Sequence, residues 1–188
     1  MEFWETALIA FGVSVDAAAV STAGAVVPSS LARWRCALRA ALFFGGFQFF
    51  MPLIGFAAAG AITAVPRKYG DILACGLLTL VGLKMIVEAW RKPGREEKPA
   101  PGGIFTLKSM LFLAVATSLD ALAVGAGIAF AGLDIWVPAA AMGAVTGAVS
   151  AAAVFVGGRL GAYFGPRRAG TAGGIAIVLV GIKLLAGS

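Results

Sequence analysis

Two aspartates, Asp16 and Asp120, lie in the middle of long apolar stretches, each two residues after a serine and directly before an alanine. A charged side chain at the centre of a bilayer costs about 2.5 to 3.5 kcal/mol on insertion scales. Such residues therefore usually pair with another polar group or bind an ion. Carboxylates combined with neutral oxygens suit hard cations such as manganese, magnesium or calcium. The pair predicts a shared site for a divalent cation or a proton. The alternative is that each aspartate is protonated or forms a local structural hydrogen bond.

Hydroxyl groups near the aspartates are further candidate ligands. Thr117 precedes Asp120 by three residues and shares its helical face. Ser14 and Ser118 lie two residues before their aspartates, about 200° around a regular helix. Each serine therefore joins the site only where its helix is locally unwound, and otherwise we expect it to bond to a neighbouring helix.

Gln48 offers a side-chain amide, and Pro52 removes the N–H donor that would bond to the Gln48 carbonyl oxygen. An ordinary proline kink filled by water is the alternative. The corresponding part of the fifth apolar run carries Thr146 and Ser150, again with oxygen atoms. Met51 would favour a transition metal only if its sulfur faced the site. Because the chain has no histidine and no CxxC pair, the common zinc and copper ligand sets are excluded.

The composition places these residues in a membrane protein. Of 188 residues, 60% are hydrophobic and 13% charged, against about 25% charged in a soluble domain. No polar stretch is long enough for a water-facing catalytic domain, so we expect an all-α integral membrane protein that is not an enzyme. Six apolar runs predict transmembrane helices over residues 5–27, 36–62, 70–90, 106–130, 136–160 and 168–187.

Lysines and arginines are distributed unequally between the two predicted sides. Eleven lie in or beside the loops after the first, third and fifth spans, and two lie on the opposite side. The positive-inside rule then predicts a multi-pass protein with both termini outside the cytoplasm. Because the charge follows topology, no nucleic-acid partner is expected. Lys84 and Lys183 fall within spans, where they either extend to the interface or pair with an aspartate, and Glu88 is a possible partner for Lys84.

The chain repeats itself. Three matches occur in the same order at offsets of 104, 100 and 99 residues, between Ser14–Val20 and Ser118–Val124, Pro66–Gly70 and Pro166–Gly170, and Leu80–Ile86 and Leu179–Leu185. They predict two three-helix repeats, over residues 1–95 and 96–188. An odd number of spans inverts the second repeat, an arrangement found in many secondary transporters with a substrate site at the repeat interface. A stable duplicated bundle without transport is the alternative.

The segments around the aspartates, with Phe44–Gln48 and Met51–Gly55, resemble the MntP-type manganese efflux pump family. The resemblance implies a six-helix exporter of manganese in the bacterial inner membrane, with Asp16 and Asp120 on the positions of the family's intramembrane acidic residues. Export of an amino acid or of another divalent cation, such as cadmium or calcium, is the alternative. An intramembrane aspartyl protease is disfavoured because neither aspartate follows a GxGD pattern. A purely structural membrane subunit would tolerate the loss of both aspartates.

The energy source is expected to be a proton gradient. The sequence has no nucleotide-binding motif, and expelling a doubly charged ion from a negative cytoplasm costs about 4.6 kcal/mol per 100 mV. We therefore predict antiport, in which protons bound to the aspartates enter as manganese leaves. No cofactor is expected, and the sequence does not determine stoichiometry or oligomeric state.

Overall fold

A computed structural model describes residues 3–23, 30–61, 67–91, 105–160 and 166–186. Every regular element in those segments is helical. The elements are α1 (Phe3–Ala23), α2 (Ser30–Ala40), a π-helical segment (Ala41–Gly45), α3 (Gly46–Gly60), α4 (Arg67–Arg91), α5 (Leu107–Thr117), α6 (Leu119–Phe130), α7 (Trp136–Leu160) and α8 (Pro166–Ala186). The π segment joins α2 to α3, and a single residue separates α5 from α6. The described elements therefore form six rods, one for each predicted span.

Four of the six rods are long and apolar enough to cross a membrane, over Trp4–Thr22, Arg33–Gly60, Leu107–Phe130 and Trp136–Val156. The other two, α4 and α8, contain shorter apolar segments. They have 25 and 21 residues, and at 1.5 Å per residue helices of this size reach about 31 to 38 Å, the thickness of a bilayer core. The prediction of an all-α membrane protein is confirmed.

The rods begin and end close to the predicted boundaries. The fifth has the predicted bounds, and the second begins at Ser30, earlier than expected. Two local departures interrupt the predicted helices: the π-helical segment in the second rod and a break at Ser118 in the fourth. The predicted ends at 24–27, 62 and 187, and the loop at 92–104, lie outside the described residues.

Two apolar clusters fill the bundle and meet at the level of the candidate ligands. The first contains Ile9, Ala10, Val13, Leu78, Val81, Ala121, Val124, Ile128, Ile135, Ala139, Met142, Ile177 and Val180. The second contains Ala17, Ala37, Ala40, Phe44, Met110, Leu113, Ala114 and Val154. Since Val13 belongs to the first and Ala17 to the second, Asp16 lies at the boundary. Asp120 lies at the same boundary. Ala121, the next residue, belongs to the first cluster, and Leu113 and Ala114, earlier in the same helical segment, belong to the second.

Glycines allow the rods to approach closely at this level. A Cβ on Gly45 would lie 2.9 Å from the carbonyl oxygen of Gly143, and a Cβ on Gly147 would lie 3.2 Å from that of Ala41. A Cβ on Gly125 would overlap the backbone of Pro52. The second rod is thereby held against α7 on one side and α6 on the other, which fixes the position of Gln48 between them.

Candidate metal site

Asp120 lies at the start of a broken helix. Ser118 leaves the helical region, with φ −105° and ψ 6°, and its N–H donates to Val115 O at 3.2 Å, three residues back instead of four. The next helix, α6, begins at Leu119, so Asp120 stands in its first turn. Helix N-termini stabilise negative charge, and broken helices at membrane depth commonly build ion sites in transporters. This sequence places a carboxylate at such an end.

The Asp120 carboxylate is only partly satisfied. The residue is 5% exposed. Its Oδ1 accepts a hydrogen bond from the N–H of Ala121 at 2.8 Å, whereas its buried Oδ2 has no hydrogen-bond partner among the described residues. The charges of Asp16 and Lys84 both act on this carboxylate, so the structure brings the two aspartates within electrostatic range. Buried polar atoms are normally paired, so Oδ2 is an open acceptor for a cation or a proton.

Gln48 connects the two halves of the chain beside the aspartates. Its Nε2 donates to Val13 O at 2.9 Å and is 3.5 Å from Thr117 O. The two carbonyls occupy equivalent positions, three residues before each aspartate. In an unbroken helix the Ala121 N–H would bond to Thr117 O, but here it donates to Asp120 and leaves that carbonyl available. The fully buried Gln48 keeps its Oε1 unpaired among the described residues, as a second open oxygen.

The three predicted hydroxyl ligands bond to their own helices. Ser14 Oγ donates to Phe11 O at 2.8 Å, Ser118 Oγ to Ala114 O at 2.7 Å, and Thr117 Oγ1 to Ala114 O at 3.3 Å. The expectation that the serines bond to a neighbouring helix was wrong, because the hydroxyl of a serine within a helix readily donates a hydrogen bond to the carbonyl oxygen three or four residues back. Each oxygen keeps lone pairs, and the role of these residues as ligands stays a prediction.

Thr146 is a further candidate outside the predicted ligand set. It is fully buried on α7, and its Oγ1 has no hydrogen-bond partner among the described residues. Ser150, one turn later, has the same property. The signal was present in the sequence: aligning Gly45 with Gly143 places Thr146 opposite Gln48. Because α7 contacts both α1 and α3, the hydroxyl of Thr146 is carried on an element adjacent to those of Asp16 and Gln48.

The available ligands are oxygen atoms. No group of three or more His, Cys, Asp or Glu residues occurs within the segments that the structure describes. Met51 packs against the first cluster, which favours a packing role for its side chain. Asp16 is half-buried. Two carboxylates with neutral amide, hydroxyl and carbonyl oxygens form a hard ligand set, suited to manganese, magnesium or calcium.

The two lysines that the sequence analysis placed within spans have different surroundings. Lys84 is exposed, and its charge acts on Asp120. Lys183 Nζ lies 2.6 Å from Glu5 Oε1, a partner that the sequence analysis did not identify because the two residues come from opposite ends of the chain. The side chain of Glu88, the other predicted partner of Lys84, lies outside the described residues.

Comparison with known proteins identifies relatives along nearly the whole chain. The family model described as "Putative manganese efflux pump" matches residues 31–185. Proteins described as "Putative manganese efflux pump MntP" are 39% identical in Bifidobacterium adolescentis, over 95% of this chain and 93% of the relative, and 39% identical in Methanosarcina mazei, over 99% and 97%. Another in Desulfitobacterium hafniense is 40% identical, over 96% and 93%. No solved structure matches the chain. The chain belongs to the MntP family of efflux pumps.

Proposed function

We propose that this protein exports manganese(II) by secondary active transport and that the ion binds between Asp16 and Asp120. The observation that carries the proposal is the buried Oδ2 of Asp120, an open acceptor at a helix break within electrostatic range of a second carboxylate. Manganese as the substrate is supported by the description of the family and of its members.

The oxygen atoms around this position make up the proposed coordination shell. Asp16 and Asp120 supply the charge that a divalent ion needs. Gln48 Oε1 supplies a neutral oxygen, and the Nε2 atom of the same side chain is already held by the carbonyl oxygens of Val13 and Thr117. Thr146 Oγ1 is available on the facing helix, and Thr117, Ser14 and Ser118 are further candidates through their lone pairs. The ion would exchange its hydration shell for this set.

Alternating access is proposed to follow from two inverted repeats. In the two repeats, α1 corresponds to α6, α3 to α7 and α4 to α8. The contact between α1 and α7 therefore corresponds to that between α6 and α3, and the contact between α1 and α8 to that between α6 and α4. All four pairs of helices are in contact. Individual contacts follow the same rule. A Cβ on Gly82 would lie 2.5 Å from Gly174 O. At the offset of 99 residues, Gly82 corresponds to Gly181 and Gly174 corresponds to Cys75. A Cβ on Gly181 would likewise lie 3.4 Å from Cys75 O. These correspondences support two similar units around a shared site, as in other transporters built from repeats.

Proton antiport is proposed as the coupling. Two carboxylates are neutralised either by one divalent cation or by two protons, so both loaded states carry no net charge through the low-dielectric interior. The empty state leaves two negative carboxylates inside the bundle, so it is costly and is disfavoured from reorienting. Exchange of one manganese ion for two protons would then be electroneutral and driven by the pH gradient. With the termini outside, as the distribution of lysine and arginine predicts, export proceeds toward the side where α1 begins and α8 ends.

The test uses purified protein in liposomes containing a manganese-sensitive dye. A pH gradient is imposed, and uptake is compared for wild type, Asp16→Asn, Asp120→Asn and the control Asp134→Asn, an exposed carboxylate in the loop before α7. We expect gradient-dependent flux in the wild type and the control and background flux in the two site variants. Wild-type flux through either site variant would defeat the assigned site. Flux that ignores the pH gradient would reject proton coupling alone, and flux of cadmium, calcium or an amino acid in place of manganese would reject the assigned substrate.

A further inference from the structure

An ion pair joins the first and last helices at one end of the bundle. Glu5 lies in the first turn of α1 and is 3% exposed. Lys183, in the last turn of α8, places its Nζ 2.6 Å from Glu5 Oε1 and 4.6 Å from the centre of the Trp4 ring. The ammonium group is held by a carboxylate and an aromatic face of the same helix. We call this end, where α1 begins and α8 ends, the terminal end.

Between the ion pair and the candidate metal site, apolar side chains of α1 and α8 pack together. Ile9 and Val13 follow Glu5 at helical spacing on α1, and both are fully buried. Ile177 and Val180 of α8 belong to the same cluster. An ion leaving Asp16 toward the terminal end along the α1–α8 interface therefore has to pass a closed apolar contact and then the pair of Glu5 and Lys183.

The other end of the bundle has no equivalent pair among the described residues. At the offset of 104 residues, Glu5 corresponds to Ser109, and at the offset of 99 residues, Lys183 corresponds to Lys84. Ser109 instead accepts a hydrogen bond from Thr106 at the start of α5, and the charge of Lys84 acts on Asp120. Among the residues that the structure describes, the two ends therefore differ in an ion pair that could hold the terminal end shut.

We propose that Glu5 and Lys183 form an ionic latch that keeps the terminal end closed and must separate before manganese leaves there. The proposal rests on the proposed transport function, since it assigns a direction to the opening of the bundle. Opening between α1 and α8 would pull the two charges apart, and separating an ion pair is costly while the carboxylate of Glu5 stays buried. With Lys183 48% exposed along its side chain, the lysine is the member free to swing into water, while Glu5 stays on its helix.

The latch is tested by the accessibility of a reporter thiol, which needs no metal. Ile9→Cys is placed in a background with Cys36→Ser and Cys75→Ser and treated with a membrane-impermeant maleimide added from the side of the termini. Glu5→Gln and Lys183→Gln should each speed labelling about tenfold, equivalent to 1.4 kcal/mol in the opening equilibrium. The charge swap Glu5→Lys with Lys183→Glu should restore slow labelling. Asp134→Asn, which removes an exposed carboxylate next to Ile135 of the same cluster, should leave labelling unchanged.

Unchanged labelling in both single variants, or a swap that labels as fast as they do, would overturn the latch. If a single variant leaves a buried charge and folds poorly, the neutral pair Glu5→Gln with Lys183→Gln provides the same test. Fast labelling of this pair supports the latch, and wild-type protection rejects it. Because labelling is measured without manganese, full export by Asp120→Asn would refute the proposed metal site without changing the labelling result.

Discussion

The close approach of α3 and α6 can be tested by adding one methyl group. A Cβ on Gly125 would lie 2.6 Å from Pro52 Cα and closer still to the Pro52 carbonyl oxygen. Both are backbone atoms, so no rotamer change can relieve the overlap and the two helices must separate. Gly127, two residues further along the same helix, has its nearest neighbours at 3.6 Å from the added Cβ, which is an ordinary contact. The two glycines are both buried and provide a matched pair.

The expected energies have opposite signs. Overpacking a well-packed core costs about 1 to 3 kcal/mol, and a clash between backbones should lie at the upper end of that range. Replacing a helical glycine by alanine returns about 0.5 to 1 kcal/mol. We therefore expect Gly125→Ala to lose about 2 kcal/mol of unfolding free energy and Gly127→Ala to gain about 0.5 to 1 kcal/mol. At about 2 to 4 °C per kcal/mol for a chain of this size, the melting temperatures should move by about −4 to −8 °C and +1 to +4 °C.

Transport should follow the same pattern. Gln48 lies one turn before Pro52, and its amide is already 3.5 Å from Thr117 O, at the limit of a hydrogen bond. Separating α3 from α6 would break this contact and move Gln48 away from Asp120. Melting is measured by intrinsic tryptophan fluorescence in detergent, and manganese flux in liposomes. If Gly125→Ala melts as high as Gly127→Ala and transports normally, the geometry that joins Gln48 to the site is wrong.

Three further predictions use single substitutions. Asp16→Asn and Asp120→Asn should reach the membrane at wild-type levels yet fail to lower cellular manganese, measured by elemental analysis of cells. Ser118→Ala should lower the apparent manganese affinity in liposome flux about tenfold, about 1.4 kcal/mol, because the hydroxyl keeps its lone pairs for the ion while its proton is donated to Ala114 O; an unchanged affinity would remove Ser118 from the site. Gly46→Ala, where an added Cβ meets nothing within 4 Å, should raise the melting temperature by about 1 to 4 °C.

Hydropathy predicts the number and approximate bounds of the six helical rods well, because it is averaged over about 20 residues in each span. The same average cannot detect the break at Ser118. The run from 106 to 130 is mostly apolar on both sides of Ser118, and neither glycine nor proline marks the interruption. The break is stabilised by local bonds, in which Ser118 donates to Ala114 O and Asp120 captures the N–H of Ala121. Such competition between side chain and backbone depends on single atoms, so it becomes visible only in coordinates.

The π-helical segment is a second feature that depends on the neighbouring helix. Nothing in Ala41–Gly45 differs in composition from the α-helical turns around it. The segment lies where Gly45 faces the backbone of Gly143 and Gly147, and π-helical turns are frequent next to functional sites. It ends three residues before Gln48, in the same continuous helical segment. The sequence predicted Gln48 as a site residue, but its two hydrogen-bond acceptors could not be predicted without the fold.

The two proposed repeats differ at particular residues, and these differences bear on how two similar halves could work as a directional transporter. If the halves were identical, the inward-open and outward-open states would have equal free energy, and no resting state would be preferred. Gradients set the direction of net flux, but the preferred resting state has to come from residues that differ between the halves. Glu5 and Ser109 are one such difference, and Gln48 and Thr146 are another. A latch at the terminal end would favour the state open toward the opposite end, where the positive-inside rule predicts the cytoplasm. An exporter benefits from this bias, because it waits with its site facing the ions that it removes.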